Sequence, residues 1–151
     1  MLFRSISIGF EALGLRPLIL SLYREDNANL RVLLPFPAPT QTVRRQWNTL
    51  REIMEDDPGN LRNDSVAVVA SWDAEQVYQK LVSWSGNGET LSLAPFGPKP
   101  HTLGMALFAI RNDASLWYTQ PKVYHPEYSR GIGETRWYVV KWQGVQCFDR
   151  P

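Results

Sequence analysis

His101 and His125 are the two histidines of this chain, and each stands among other polar and charged residues. The first cluster, Gly97-Pro98-Lys99-Pro100-His101-Thr102, offers a flexible backbone, a cation, an imidazole and a hydroxyl within six positions. The second runs from Tyr118 to Gly133 and gathers Lys122, Tyr124, His125, Glu127, Tyr128 and Arg130. Cationic and hydrogen-bonding side chains of this kind recognise anions, phosphate groups above all. The two histidines would serve as an acid–base pair if the two loops converge. A shared metal would require Glu127 or a distant aspartate as third ligand, so no metal site is expected. Cys147 is the single cysteine. It forms no intrachain disulfide and reads as a small packing residue rather than a nucleophile.

Several chemistries lack their signatures. The Gly-x-x-x-x-Gly-Lys-Ser/Thr phosphate loop, a Gly-x-Gly-x-x-Gly after a strand, the Gly-x-Ser-x-Gly elbow and His-Glu-x-x-His are all missing from the sequence. The candidate chemistry is therefore anion recognition on loops, and the elements around those loops must position it. Thr90 to Phe96 is an apolar strand, Gly97 to Pro100 a loop, and Thr102 to Arg111 a helix with Leu103, Ala106, Leu107 and Ile110 on its apolar face. In an open α/β sheet ligands collect beyond the carboxyl ends of the strands. A helix N-terminus placed there presents unpaired N–H groups and the positive end of its dipole. On that reading Gly97, Lys99, His101 and Thr102 bind the ligand, joined by Tyr124, His125 and Arg130 from the second loop. On the other reading the prolines form a stiff connector and Thr102 caps the helix.

The remaining elements fit the same fold class. Leu30 to Phe36 reads as a strand, paired through a hairpin-like loop with Pro17 to Tyr23. Val43, Trp47, Leu50 and Met54 form the stripe of a helix capped by Thr42. Ser65 to Ser71 is a short apolar strand predicted to be covered on both faces. Asp73 and Gln76 make a capping-box-like start for a helix over 73–83. Ser115 to Thr119 and Thr135 to Trp142 complete the strands. Leu2, Phe3, Ile6, Phe10 and Leu13 recur at helical spacing, although Ile6, Ile8 and Phe10 also permit a strand. Strands alternating with helices mean βαβ units. The expected fold is a single Rossmann-like α/β domain over residues 1–151, three-layered, with a mostly parallel sheet and antiparallel additions at the edges. A Rossmann-like unit begins with a strand, whereas a helix opens this one. Either that strand is lost, or a partner chain supplies it, or the opening segment is itself the strand; a subunit of a larger assembly is the expectation.

Composition narrows the function classes. The chain has 151 residues, 44% of them hydrophobic and 21% charged, with a net charge of +1. No broad basic footprint exists, so nucleic acid is not indicated. Six Trp, six Tyr and six Phe suit a packed core with a partner surface. The opening residues lack a signal peptide pattern, and the most apolar stretch is too short to cross a bilayer. No membrane role is indicated, and a reducing, cytoplasmic setting follows from the cysteine usage. One internal similarity stands out. Leu34 to Thr42 and Ala94 to Thr102 align without gaps at an offset of sixty, matching Pro35-Phe36 to Pro95-Phe96. Duplication, or one geometric demand met twice, accounts for it.

The strand, the Gly97-Pro98-Lys99 turn and the following apolar helix resemble the ligand-binding loop of CRISPR-associated Rossmann-fold (CARF) domains and related Rossmann-like sensors. The resemblance covers residues 91–110. It implies a Rossmann-like fold, dimeric in many members, and a site for a nucleotide second messenger in which Gly97, Lys99 and Thr102 carry over. Prolines 98 and 100 stand where the family's turn is usually hydroxyl-rich. The setting implied is prokaryotic defence or signalling. The leading expectation is a non-catalytic module, without cofactor, that binds an anionic small molecule or docks in a larger complex as a homo-oligomer or hetero-complex subunit. The alternatives are a nucleotide-processing hydrolase using His101, Lys99 and His125, or a purely structural interaction subunit.

Overall fold

The computed structural model describes residues 2–8, 29–38, 40–56, 65–86, 90–118 and 134–148. Strand β1 (Leu2–Ser7) is followed by β2 (Asn29–Phe36), helix α1 (Thr40–Asp56), β3 (Val66–Ala70), α2 (Ala74–Trp84), β4 (Thr90–Pro95), α3 (Lys99–Asn112) and β5 (Ser115–Leu116). A short hairpin, β6 (Lys141–Trp142) and β7 (Val145–Gln146), ends the described chain. The five-stranded sheet has the order β3-β2-β1-β4-β5, and every pairing in it is parallel.

The largest correction concerns the first segment. Leu2 to Ser7 is not a helix but the central strand, paired with β2 on one side and β4 on the other. Helical spacing and strand alternation coexist in these residues, and two parallel neighbours decide between them, because strand preference is set by tertiary pairing. Ile6 and Ile8 face one layer while Ser5 and Ser7 face the other. The chain therefore supplies its own first strand, and the argument for a partner-donated strand falls. Strand β2 is likewise not a hairpin arm, since β1 and β3 flank it in parallel. The proposed other arm, Pro17 to Tyr23, lies outside the described residues.

Two apolar layers close on the sheet. On one face Leu50 and Ile53 of α1 pack on Ile6, Val32 and Leu34; on the other Val77 and Leu81 of α2 and Met105 and Phe108 of α3 pack on Leu33, Leu91 and Leu93. Each such side chain fully buried contributes about 1.5–3 kcal/mol of transfer free energy. The inward face of α1 is offset from the predicted stripe: Gln46, Leu50 and Ile53 point in, whereas Trp47 and Met54 are exposed. The helix also starts at Thr40, so Thr42 lies inside it and is not its cap.

Strand β3 is an edge, not a strand covered on both faces, and Val68 is 64% exposed. Its last residue is nonetheless fully used. The Ala70 N–H donates to Gln76 Oε1 at 2.7 Å, and the Ala70 carbonyl accepts from the Asp73 N–H at 3.1 Å. Asp73 caps α2 as anticipated, accepting from the Gln76 N–H at 2.9 Å. Gln76 does not return to the cap, as a capping box would have it, but closes the end of the edge strand instead.

The predicted last strand over 135–142 is also revised. Residues 134–140 are irregular, and only Lys141 and Trp142 pair, with Gln146 and Val145. Gln143 and Gly144 have φ of 47° and 84°, which matches a two-residue hairpin turn with both central residues left-handed. The segment docks on the domain through aromatic groups. Phe148 meets Tyr78 edge-on at 5.7 Å, Arg136 lies over the Trp72 ring, and the Tyr138 hydroxyl donates to the Trp72 carbonyl.

Candidate functional site at the carboxyl end of the sheet

The strand order creates one singular place. From β1 the chain builds outward through β2 and β3, then crosses back to lay β4 on the other side of β1. Connections from β2 and β4 depart to opposite layers there, which opens the crevice in which α/β domains hold ligands. The two Pro-Phe turns are the walls of this place. Pro35-Phe36 ends β2, Pro95-Phe96 ends β4, and β1 lies between them. Their helices take opposite faces, α1 on one and α3 on the other. They also differ in detail. Phe36–Pro37 is a cis peptide, and α1 begins four residues after Phe36, while α3 begins three after Phe96.

The end of β1 is clamped from both layers. From α1, Gln46 Nε2 donates to the Ile8 carbonyl at 3.5 Å. From α3, His101 Nδ1 lies 2.8 Å from Ser7 Oγ, and His101 Nε2 lies 3.0 Å from the Ala70 carbonyl. A carbonyl only accepts, so Nε2 carries the proton; the neutral ring then leaves Nδ1 to accept from the Ser7 hydroxyl. Burial pushes the His101 pKa below 6.5, opposed by the bond to Ala70 and the charge of Asp73. One imidazole thereby ties the ends of β1 and β3 to the first turn of α3.

Gly97 makes this closeness possible. A Cβ at that position would stand 2.0 Å from Ser7 Oγ and 3.3 Å from His101 Cβ, so any side chain there would collide with the Ser7–His101 pair. The serine hydroxyl occupies the space that glycine leaves open. Sequence reasoning missed Ser7 because its segment read as helical. The signal was the alternation of Ser5 and Ser7 with Ile6 and Ile8. Ser5, also fully buried, has no hydrogen-bond partner for its hydroxyl among the described residues.

A serine hydroxyl hydrogen-bonded to an imidazole is the arrangement that activates nucleophiles. Here both side chains are 0% exposed and both ring nitrogens are engaged, so the pair is a clamp beneath the turn. The clamp carries a pH signature. A histidine neutral in the fold but protonated when unfolded gives stability that is full above 6.5 and is lost as pH falls through the lower folded value. Thermal melts should therefore decline as pH falls below about 6.5, and a His101→Gln chain should lose this part of the decline.

Above the clamp, Lys99 is exposed at the first helical position of α3. Pro98 precedes it without a side-chain cap, and Pro100 has no N–H to satisfy. The helix starts three residues earlier than expected. Thr102 is thus inside it, its N–H donating to the Pro98 carbonyl at 3.1 Å, and it is not the cap. Tyr124, His125 and Arg130 lie outside the described residues. Among the described residues no three His, Cys, Asp or Glu side chains converge on a point that could hold a metal, and no described helix is long and apolar enough to cross a membrane.

Fold and strand order define an α/β domain of the Rossmann-like, doubly wound class, its switch point between β1 and β4. No protein-family model and no curated protein matches the chain.

Proposed function

We propose that the chain is a non-catalytic Rossmann-like module that binds an anionic, nucleotide-like small molecule at the turn from β4 into α3. The observation that carries this reading is the uncapped N-terminus of α3 at the switch point, with Lys99 exposed beside it and the Ser7–Gly97–His101 clamp holding the turn rigid below. Backbone N–H groups and the helix dipole favour an anion there, and a rigid turn need not be ordered when the ligand arrives. Lys99 acts as the charged contact. Gly97 and the first N–H groups supply the cradle, and His101 serves as a positioning residue through the clamp. The burial of His101 favours this role over acid–base chemistry in a hydrolase.

The resemblance of residues 91–110 to CARF domains supports a nucleotide second messenger as the ligand class, in a cytoplasmic defence or signalling setting. Exposed aromatic groups outside this turn, Trp137 and Trp142 among them, favour a subunit that also meets protein partners. A ligand present at a hundred times its Kd stabilises the fold by about 2.7 kcal/mol. At least one member of a mono-, di- and cyclic nucleotide panel should therefore raise the melting temperature. Lys99→Ala should weaken that ligand about tenfold, the worth of one charge-assisted contact. A panel that leaves the native chain's melting temperature unmoved would defeat the proposal.

A further inference from the structure

An imidazole changes one of its nitrogens from acceptor to donor when it takes up a proton, and His101 sits where that change has a consequence. The neutral ring donates from Nε2 to the Ala70 carbonyl at 3.0 Å and accepts at Nδ1 from the Ser7 hydroxyl at 2.8 Å. A protonated ring donates from both nitrogens. The Ala70 bond then survives and gains charge assistance, since a carbonyl still accepts. The Ser7 bond in its present sense is lost. Ser7 can accept only by turning its own proton away, and its hydroxyl has no second partner among the described residues. On the turn side the hydroxyl is closed in, since a Cβ at Gly97 would stand 2.0 Å from Ser7 Oγ.

The elements around the ring tilt the outcome the same way. β1 brings Ser7, β3 the Ala70 carbonyl and the β4–α3 turn Gly97, none of them charged. Lys99, two residues earlier on α3, is exposed. Arg136 and Tyr138 of the closing segment meet the neighbouring Trp72. Asp73, at the start of α2, is the charge that acts on His101, and it favours the protonated ring. Its N–H also donates to the Ala70 carbonyl, at 3.1 Å. A proton on the ring therefore strengthens its hold on Ala70 and Asp73 and ends its hold on Ser7. We infer that the clamp is a proton-operated latch: the neutral imidazole ties the β4–α3 turn to β1, and the protonated one releases Ser7, keeps Ala70 and frees that turn within an otherwise intact fold. The latch rests on the clamp's geometry and is independent of the ligand reading.

The test is nuclear magnetic resonance of the full chain, following the His101 ring signals and amide hydrogen exchange as pH is lowered from neutral, with exchange rates corrected for their intrinsic pH dependence. The Thr102 N–H, which donates to the Pro98 carbonyl in the first turn of α3, should lose about tenfold in protection in step with the His101 titration, the worth of one buried hydrogen bond. The Asp73 N–H should keep its protection. His101→Gln, whose amide offers a donor and an acceptor but takes up no proton, should show no acid step. Ser7→Ala removes the donor that favours the neutral ring and should move the His101 midpoint to higher pH; Asp73→Asn, which keeps a capping side chain, should move it to lower pH. Thr102 protection that ignores the His101 titration overturns the inference. So does simultaneous loss at Thr102 and Asp73, which is global unfolding, or a midpoint that Ser7→Ala leaves unchanged or lowers. The native chain and the exposed Asp73 change decide the matter even where Ser7→Ala does not fold.

Discussion

Replacing Gly104 by alanine is expected to destabilise the domain by about 2–3 kcal/mol, although the same change in an exposed helix stabilises by about 1 kcal/mol. The reversal comes from the crossing of α2 and α3. Gly104 is buried against the start of α2, and a Cβ there would stand 2.4 Å from the Ala74 carbonyl oxygen and 2.9 Å from Val77 Cβ. The carbonyl belongs to backbone that Asp73 caps, so it cannot swing aside as a long side chain would. The helices must separate, and Met105 and Phe108 would lose contact with Leu91 and Leu93 in the layer beneath. Urea unfolding measures the effect as a lower midpoint at unchanged slope. A Gly104→Ala chain at least as stable as the native one would show that α2 and α3 do not approach this closely.

The second large effect is expected at His101. Truncation to alanine empties a fully buried site and removes two hydrogen bonds, those to Ser7 and to the Ala70 carbonyl. Each bond is worth about 0.5–1.5 kcal/mol, and the cavity adds about 2 kcal/mol, so a loss of about 3–5 kcal/mol follows. Against a typical domain stability of about 5–15 kcal/mol this is a large share. Ser7 and His101 should also be coupled. Once His101→Ala has removed the acceptor, Ser7→Ala should cost less than it does in the native chain, because the buried hydroxyl has already lost its partner. Strictly additive losses in the double variant would mean that the 2.8 Å contact contributes no stability.

Much of this architecture was legible in the residues. Strands alternating with helices pointed to a Rossmann-like domain, and the turn-to-helix passage at Gly97 marked the candidate site that is proposed beyond β4. Asp73 announced its helix because capping is local chemistry. The two largest misreadings have a common cause, since each depended on a contact distant in the chain. Leu2 to Ser7 satisfies two periodicities, and only pairing with β2 and β4 selects the strand. In α1 the stripe through Trp47 and Met54 and the stripe through Gln46 and Ile53 are one residue apart; the sheet chooses the second. The clamp unites Ser7, Ala70 and His101, positions 94 and 31 residues apart across its two bonds, and no local pattern marks it. Both proline-rich turns follow an apolar strand and open a helix, and Gly97 and Lys99 already set the second apart in the sequence. Departure of their helices to opposite layers, and the buried Ser7–His101 pair beneath Gly97, separate them in the structure.

The anion cradle proposed at the turn from β4 into α3 is open to a direct measurement. Amide proton–nitrogen correlation spectra of the full chain, titrated with the nucleotide panel, test it at the atoms concerned. Saturable shifts are expected at the amides of Gly97, Lys99 and His101, reduced by Lys99→Ala. Binding that shifts other amides and leaves these three unmoved, or no shift with any nucleotide, would contradict it.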